Sequence, residues 1–216
     1  MRSVSAGPGG RTCPPPRPGR LREVAEWIEG ATGLRVQIVG GQLVMSPPRC
    51  GKHVGVVSKL RWQLGMGLPD GLGAFAVSSI ALPDGLGDPD DYVTPDLVVL
   101  PVGWSEEDCW LAGSEDAALV VEVVSPAERS RDIRGKVDWY SVARVPVLFV
   151  VDPRNGTWRL YVGPDNGGYR DVLPGRFGES VRLPEPLGVE VVTDGFPVYG
   201  ASARALGGEE CAGATG

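Results

Sequence analysis

The stretch ALVVEVVSPAERSRDIRGKVDWYSVARVPVLFVVD, residues 118–152, decides the fold class. It opens and closes on short runs rich in Val and Leu, residues 118–124 and 146–152, which are typical of strands covered on both faces. Between them, apolar residues from Ile133 to Tyr140 recur at helical spacing and predict an amphipathic helix. This order of strand, helix and strand predicts an α/β fold.

Similar patterns on either side predict the remaining elements. Toward the N-terminus they predict a helix over residues 21–29 ended by Gly30, a β-hairpin that turns at Gly40–Gly41, a helix over residues 53–64, a strand in AFAVSSIAL at residues 74–82 and a buried strand in DLVVLP at residues 96–101. Toward the C-terminus, TWRLYV and GYRDVL, residues 157–162 and 168–173, predict an antiparallel pair at the end of the sheet.

The composition fits one folded domain with loose ends. Of 216 residues, 32 are Gly and 20 are Pro, which excludes a long coiled coil, while 42% apolar residues exclude a wholly disordered chain. Residues 1–19 are rich in Pro and Gly and are predicted to be a disordered leader. We expect residues 20–200 to form the domain and residues 201–216 to be a flexible tail.

Charge and hydropathy limit the class of protein further. The formal net charge of −6 argues against a protein that coats nucleic acid by bulk electrostatics, although it allows a local basic groove. No stretch approaches 18 consecutive apolar residues, and the first 20 residues lack the apolar segment of a signal peptide. We therefore expect a cytoplasmic protein without membrane association.

Two carboxylates inside apolar strands are the strongest chemical signal. Asp96 begins the strand in TPDLVVL, and Glu122 lies in the middle of LVVEVVS. An ionised carboxylate is expensive to bury without a cation or strong hydrogen-bond donors. If the two strands are neighbours, both side chains could hold one divalent ion, and Mg²⁺ prefers such oxygen ligands together with water.

Lys136 lies in the helix after the Glu122 strand, on a face shared with Asp132 and Tyr140. Beside a metal ion its ammonium could orient an attacking water and offset charge that develops on a phosphate. Spacing alone also allows plainer roles. Asp96 could cap a turn, Glu122 could pair with an arginine of the following helix, and Lys136 could pair with Asp132 in solvent.

An ordered set of motifs resembles a known family. The set comprises PD at residues 95–96, EVVSP at residues 122–126, K-x-x-x-Y at residues 136–140 and V-P-x-x-x-x-V-D at residues 145–152, with GGQLVMSPP at residues 40–48 and His53 before them and GGY after them. Over about residues 21–194 the chain resembles the Uma-type putative restriction endonuclease family of the PD-(D/E)XK nuclease superfamily. The resemblance implies a restriction-endonuclease-like mixed central sheet flanked by helices, Mg²⁺ dependence and cleavage of DNA phosphodiester bonds.

The resemblance also implies roles for individual residues. Asp96 and Glu122, with the carbonyl of Val123, would bind Mg²⁺, for which Mn²⁺ could substitute. Lys136 would be the catalytic lysine, displaced from its usual position two residues after the glutamate, where this chain has Val124. DNA is the implied substrate. A homodimer is a further expectation, because superfamily members often act on both strands as dimers.

Two positions depart from the family pattern. Gln37 and Gln42 stand where we expect glutamates, so each keeps an acceptor oxygen and loses the negative charge. Together with Tyr140 they are candidates for supporting roles beside the metal ligands. The missing charges leave an alternative function open, in which a catalytically inactive nuclease-fold module binds DNA or a protein partner.

Basic residues near the proposed site have two interpretations. Arg129, Arg131 and Arg134 could contact DNA phosphates, because Lys and Arg residues that neutralise phosphates supply much of the sequence-independent affinity. They could equally form a solvated helix face. His53, the only histidine, is predicted to be either a residue at a helix N-terminus or a partly buried polar residue, rather than a catalytic group.

Overall fold

The computed structural model describes residues 20–46, 48–83 and 86–200. The predicted leader at residues 1–19 and the predicted tail at residues 201–216 lie outside these ranges. The α-helices are α1 (Leu21–Thr32), α2 (Gly51–Gly67) and α3 (Ser130–Val142). The strands are β1 (Arg35–Val39), β2 (Gln42–Ser46), β3 (Leu72–Phe75), β4 (Ser79–Ala81), β5 (Tyr92–Val93), β6 (Leu97–Pro101), β7 (Leu111–Gly113), β8 (Leu119–Val123), β9 (Val147–Asp152), β10 (Thr157–Asp165), β11 (Gly168–Arg176), β12 (Ser180–Arg182) and β13 (Glu190–Val192). None of the helices in these ranges is long and apolar enough to cross a membrane.

A six-stranded mixed sheet in the order β11-β10-β9-β8-β6-β3 forms the centre of the fold. Strands β8 and β9 run parallel, as strands joined through a helix can, and the other neighbours run antiparallel. All of β8 is buried, as are residues 97–100 of β6. These two strands are therefore covered on both faces, as their Val- and Leu-rich sequences predict, and β10 and β11 form the predicted antiparallel pair at the sheet edge.

Two helices cover the two faces of this sheet. On one face, Leu97, Val121 and Phe149 pack with residues of α2 that include Leu60 and Leu64. On the other face, Val98, Val120 and Leu148 pack with Trp139 and Tyr140 of α3. The prediction of an α/β fold with a mixed central sheet flanked by helices is confirmed.

A second sheet has the strand order β2-β1-β5-β4-β7 and packs against α1. The hairpin of β1 and β2 turns at Gly40 and Gly41, whose φ angles are 58° and 69°. Glycine suits such a turn because both central residues take positive φ. The carboxylate of Asp91 accepts hydrogen bonds of 2.7 and 2.8 Å from the two glycine amides, and the predicted hairpin is confirmed.

Two sequence predictions about element boundaries are wrong. The stretch at residues 74–82 forms two strands in different sheets, since β3 pairs with β6 while β4 pairs with β5 and β7. Val77 between them has φ 65°, which is unusual for a β-branched residue, and a periodicity argument does not reveal such a turn. Helix α1 passes Gly30 and ends at Thr32, and Gly33, with a left-handed φ of 67°, caps it.

The central sheet places the two buried carboxylates, Asp96 and Glu122, close together. Leu97 on β6 pairs with Val121 on the antiparallel strand β8, so Asp96, immediately before Leu97, and Glu122, immediately after Val121, lie at the same end of this strand pair. Helix α3 follows β8 and packs against the face that also receives the Glu122 side chain. The fold therefore places Asp96, Glu122 and α3 in one region.

Candidate active site

Asp96 lies among hydrogen-bond donors at the start of β6. Its Oδ1 is 3.0 Å from Nε2 of His53 and 3.2 Å from Nη2 of Arg49, and Nη1 of Arg35 lies 4.0 Å away. Its Oδ2 accepts a 2.8 Å hydrogen bond from the backbone N–H of Val123. Although burial opposes ionisation, the hydrogen bond from His53 and the charge of Arg49 hold the pKa of Asp96 below its ordinary value. Asp96 is therefore an ionised carboxylate in a buried setting.

Glu122, the second buried carboxylate, is held by two side chains of α3. Its Oε2 accepts a 2.8 Å hydrogen bond from Nζ of Lys136, and its Oε1 accepts a 2.6 Å hydrogen bond from the Tyr140 hydroxyl. Glu122 is 5% exposed and Lys136 is 9% exposed. The ammonium of Lys136 thus points at the sheet rather than into solvent.

The charge states follow from burial and from these contacts. Burial raises the pKa of Glu122 against the effect of Lys136, and the charges of Asp96 and Glu128 add to the rise. Burial acts to lower the pKa of Lys136, but Glu122 and Glu128 raise it above the ordinary value, so the ammonium stays protonated. Burial and the Glu122 charge raise the pKa of Tyr140, which remains a neutral donor.

Glu128, in the loop between β8 and α3, is a third carboxylate at this site. Its Oε1 lies 3.0 Å from Nζ of Lys136, and its Oε2 accepts a 3.2 Å hydrogen bond from the backbone N–H of Ser125. The Ser125 hydroxyl in turn accepts a 2.6 Å hydrogen bond from Nη1 of Arg49, which pairs with Asp96. A continuous chain of polar contacts therefore connects Asp96 to Glu122 through four intervening residues, Arg49, Ser125, Glu128 and Lys136.

A cleft of about 550 Å³ lies between the β1–β2 hairpin and α3 and reaches part of this network. Lys136, Glu128, Arg49 and Ser125 all line it. This volume falls in the range of ligand-binding clefts. The buried lysine and one of its carboxylate partners are therefore accessible to a molecule in the cleft.

The three arginines of the sequence prediction lie in different surroundings. All three are exposed. Arg131 lines the cleft and pairs with Asp132 at 3.3 Å, and Arg129 precedes the first turn of α3. Arg134 lines a separate depression on the other side of α3. The structure brings Arg131 to the cleft and leaves Arg134 away from it.

Gln37 and Gln42 differ in their exposure to solvent. Gln37 is fully buried on the face of β1 shared with Arg35 and Val39, and its amide oxygen and nitrogen have no hydrogen-bond partner among the described residues. Gln42 is exposed and lines the cleft. Gln37 is therefore a buried amide with unused hydrogen-bonding capacity.

Sequence reasoning missed several groups of this network. His53 is buried against Asp96, and its Nδ1 lies 3.3 Å from the hydroxyl of Tyr199, which donates a 3.0 Å hydrogen bond to the Val124 carbonyl. Arg49 and Glu128 lie in loops, where no periodicity marks them. One feature of the sequence could have indicated Glu128. It lies six residues after the buried Glu122, in the loop that leaves the sheet at the end of that strand.

The side chains fit an oxygen-ligated divalent cation. Within the described residues no three His, Cys, Asp or Glu side chains form a metal-binding group by themselves. However, each Glu122 oxygen and Oδ2 of Asp96 accept a single hydrogen bond, and a carboxylate oxygen has two acceptor positions.

Comparisons with known proteins agree on the fold and the family. No curated protein matches the chain. A crystal structure described as a putative nuclease belonging to DUF820, from Anabaena variabilis, is 16% identical, has a TM-score of 0.56 and covers 71% of this chain and 83% of its own. This likeness confirms the restriction-endonuclease-like α/β fold. Residues 21–195 match Uma2, the family described as putative restriction endonuclease, which supports a nuclease-like function. Since the match spans nearly all of the described domain, the chain belongs to this putative restriction endonuclease family.

Proposed function

We propose that the protein is a metal-dependent endonuclease that hydrolyses DNA phosphodiester bonds. The position of Lys136 carries the proposal. Its ammonium is buried and protonated, lies 2.8 Å from Glu122, and lines a cleft of about 550 Å³. A protein that used Lys136 only for solubility would leave it in solvent, whereas an ammonium held beside carboxylates at a cleft suits stabilisation of a phosphate.

Asp96 and Glu122 are the side chains that would hold Mg²⁺ or Mn²⁺, with the Val123 carbonyl as a further ligand. The Val123 amide already fixes Oδ2 of Asp96, and Tyr140 fixes Oε1 of Glu122, so neither carboxylate has to be ordered when a ligand arrives. When bound, the ion would supply Lewis-acid stabilisation of charge that develops on the phosphate. Two buried carboxylates on neighbouring strands also repel each other, which favours a cation there.

Lys136 would act as a donor rather than as a base. Because its pKa is raised, it does not take a proton from water near neutral pH. An ammonium has three N–H donors; Glu122 accepts a hydrogen bond from one, and Glu128 forms an ion pair with the same nitrogen. A remaining N–H can hydrogen-bond to a water or to a phosphate oxygen in the cleft, where it would steady the developing negative charge.

DNA binding would depend on local positive charge, since the chain as a whole has a net charge of −6. Arg49 and Arg131 line the cleft with Lys136 and would face the phosphate backbone. Affinity of this kind falls as salt rises because phosphate contacts release counterions. A homodimer, which double-strand cleavage often requires, stays a prediction that light scattering tests.

Incubation of the purified chain with supercoiled plasmid, single-stranded DNA and RNA tests the proposal. Nicking or linearisation of DNA should occur with Mg²⁺ or Mn²⁺ and stop with a chelator. Asp96→Asn and Lys136→Met should each lower the cleavage rate by about 100-fold or more. Asp138→Asn and Arg61→Ala, which change charge at exposed helix positions, are the matched controls.

Cleavage that persists at the wild-type rate in Asp96→Asn and Lys136→Met would show that this is not the active site. The alternative, a catalytically inactive nuclease-fold module, draws support from the neutral Gln37, and from the ion pair with Arg49 and the hydrogen bond with His53 that Asp96 already makes. That module would bind DNA without cleaving it under any metal condition. Its affinity in chelator would depend on Arg49 and Arg131 but not on Glu122.

A further inference from the structure

Glu128 lies outside the motifs that carry the family resemblance, yet it contacts the lysine at the centre of the site. Its side chain is 14% exposed, in a loop that lines the cleft. Nζ of Lys136 is 3.0 Å from Oε1 of Glu128 and 2.8 Å from Oε2 of Glu122. Lys136 therefore lies between one carboxylate in the sheet and another on the cleft wall.

Besides Lys136, two groups hold Glu128 in place. The Ser125 N–H donates to its Oε2, and Nη1 of Arg154 donates to its backbone carbonyl. Arg154 is itself fixed by Asp152, whose two carboxylate oxygens accept hydrogen bonds of 2.8 and 2.7 Å from its guanidinium. A glutamate in a surface loop would otherwise lose considerable conformational entropy on adopting one position. Glu128 is thus preorganised before any ligand enters the cleft.

Stability alone gives little reason for a second carboxylate here. Lys136 already has Glu122 as a buried partner, and buried ion pairs contribute little net stability. The negative charge of Glu128 also works against the ionised form of Glu122, whose pKa it helps to raise. The charge of Glu128 therefore destabilises the ionised form of Glu122. Its favourable effect is on Lys136, with which it forms an ion pair.

We infer that Glu128 is a positioning residue: together with Glu122 it holds the Lys136 ammonium in place at the cleft, with an N–H available to a ligand. With Glu122 as the only anchor, the long lysine side chain could move with its partner or turn away. A second anchor restricts the position of the nitrogen. An effect of Glu128 on the cleavage rate rests on the proposed nuclease function. Its effect on the position of the Lys136 ammonium does not.

Nuclear magnetic resonance of the lysine side chains tests directly whether Glu128 restricts the motion of the Lys136 ammonium. In protein labelled with ¹⁵N-lysine, a hydrogen-bonded ammonium of slow exchange should give a signal that disappears in Lys136→Met, which assigns it. Glu128→Gln should increase the mobility and proton exchange of this ammonium, while Asp132→Asn, which removes the same charge four residues before Lys136, should leave both unchanged. If Glu128→Gln leaves the Lys136 signal and its dynamics as in the wild type, the inference is wrong.

Cleavage kinetics supply the second readout. Glu128→Gln should lower kcat by about 10- to 100-fold, the range for a displaced catalytic group, without raising KM, since removal of an acidic charge cannot weaken binding of a polyanion electrostatically. Glu128→Asp, which keeps the charge one carbon shorter, should recover part of kcat. A rise in KM with unchanged kcat would overturn the positioning role. Absence of cleavage by the wild type together with a mobile Lys136 in Glu128→Gln would refute the nuclease function and leave the anchor supported.

Discussion

Replacement of Lys136 by methionine tests whether the buried charges of the site depend on one another. The substitution keeps much of the apolar side chain and removes the ammonium that lies 2.8 Å from Glu122 and 3.0 Å from Glu128. Glu122 then remains 5% exposed with only the Tyr140 hydroxyl as a donor. A buried carboxylate without its counter-charge is costly, so Lys136→Met should be clearly destabilising.

The magnitude follows from the contact and from measurements on comparable pairs. At 2.8 Å and an effective dielectric constant of about 20, the attraction is about 6 kcal/mol before the cost of desolvation is subtracted. Removal of one partner of a buried pair typically costs about 3–5 kcal/mol. We therefore expect the free energy of unfolding to fall by about 3–5 kcal/mol in Lys136→Met, and the double variant Lys136→Met/Glu122→Gln to regain at least half of the loss.

Urea unfolding in the presence of a chelator, followed by circular dichroism, measures these values without interference from metal binding. The loss in Lys136→Met should also shrink as the pH falls from about 8 to 5. The reason is that the pKa of Glu122, already raised by burial, rises further without Lys136, and the protonated carboxyl needs no cation. A loss below about 1 kcal/mol, or a double variant less stable than the single one, would refute the argument that Lys136 compensates a buried charge.

Three further predictions concern other parts of the network. The pKa of Asp96 in the folded protein lies below the ordinary value of 3.8, so this carboxylate contributes stability that is present above pH 3.8 and is lost as the pH falls toward the folded-state pKa. Asp96→Asn should therefore flatten the acid limb of a pH–stability curve. An unchanged acid limb would contradict this prediction. Gln37→Met should raise the free energy of unfolding by about 1–3 kcal/mol, because it replaces an unpartnered buried amide, while exposed Gln42→Met should change it by less than about 0.5 kcal/mol in the same urea assay. Tyr199→Phe should cost about 1 kcal/mol in that assay through loss of the hydrogen bond to the Val124 carbonyl, and a stability equal to the wild type would argue that this bond does not form in solution.

Much of the fold could be predicted because strong local signals agree with the tertiary structure. The apolar runs of β6, β8 and β9 are buried on both faces, and Gly40–Gly41 fix the hairpin turn. The pairing of strands could not be read in the same way, since the partners of β3 and β4 are distant in sequence and Val77 turns the chain between two sheets. Periodicity reports which side of an element is apolar, not which neighbour covers it.

The site was predictable where a charged residue interrupts an apolar strand, and not elsewhere. Glu122 within LVVEVV requires a partner, which the structure supplies as Lys136 and Tyr140. The helical spacing alone allowed Lys136 to pair with Asp132, but Asp132 faces solvent and pairs with Arg131. Arg49 and Glu128 lie in loops, whose geometry depends on packing against the whole domain. The metal-binding and catalytic roles of these residues stay predictions.

The network also suggests how an acidic protein could hold a polyanion. Before any ligand binds, the carboxylates of Asp96, Glu122 and Glu128 are balanced by the positive charges of Arg49 and Lys136, and Asp96 also has a hydrogen bond with His53. In the proposed function a divalent ion would take over part of that balance at Asp96 and Glu122. The positive charge of Arg49 and Lys136, both on the cleft, would then be free to attract the phosphate. On this account metal and DNA should bind cooperatively, because each removes an electrostatic obstacle to the other.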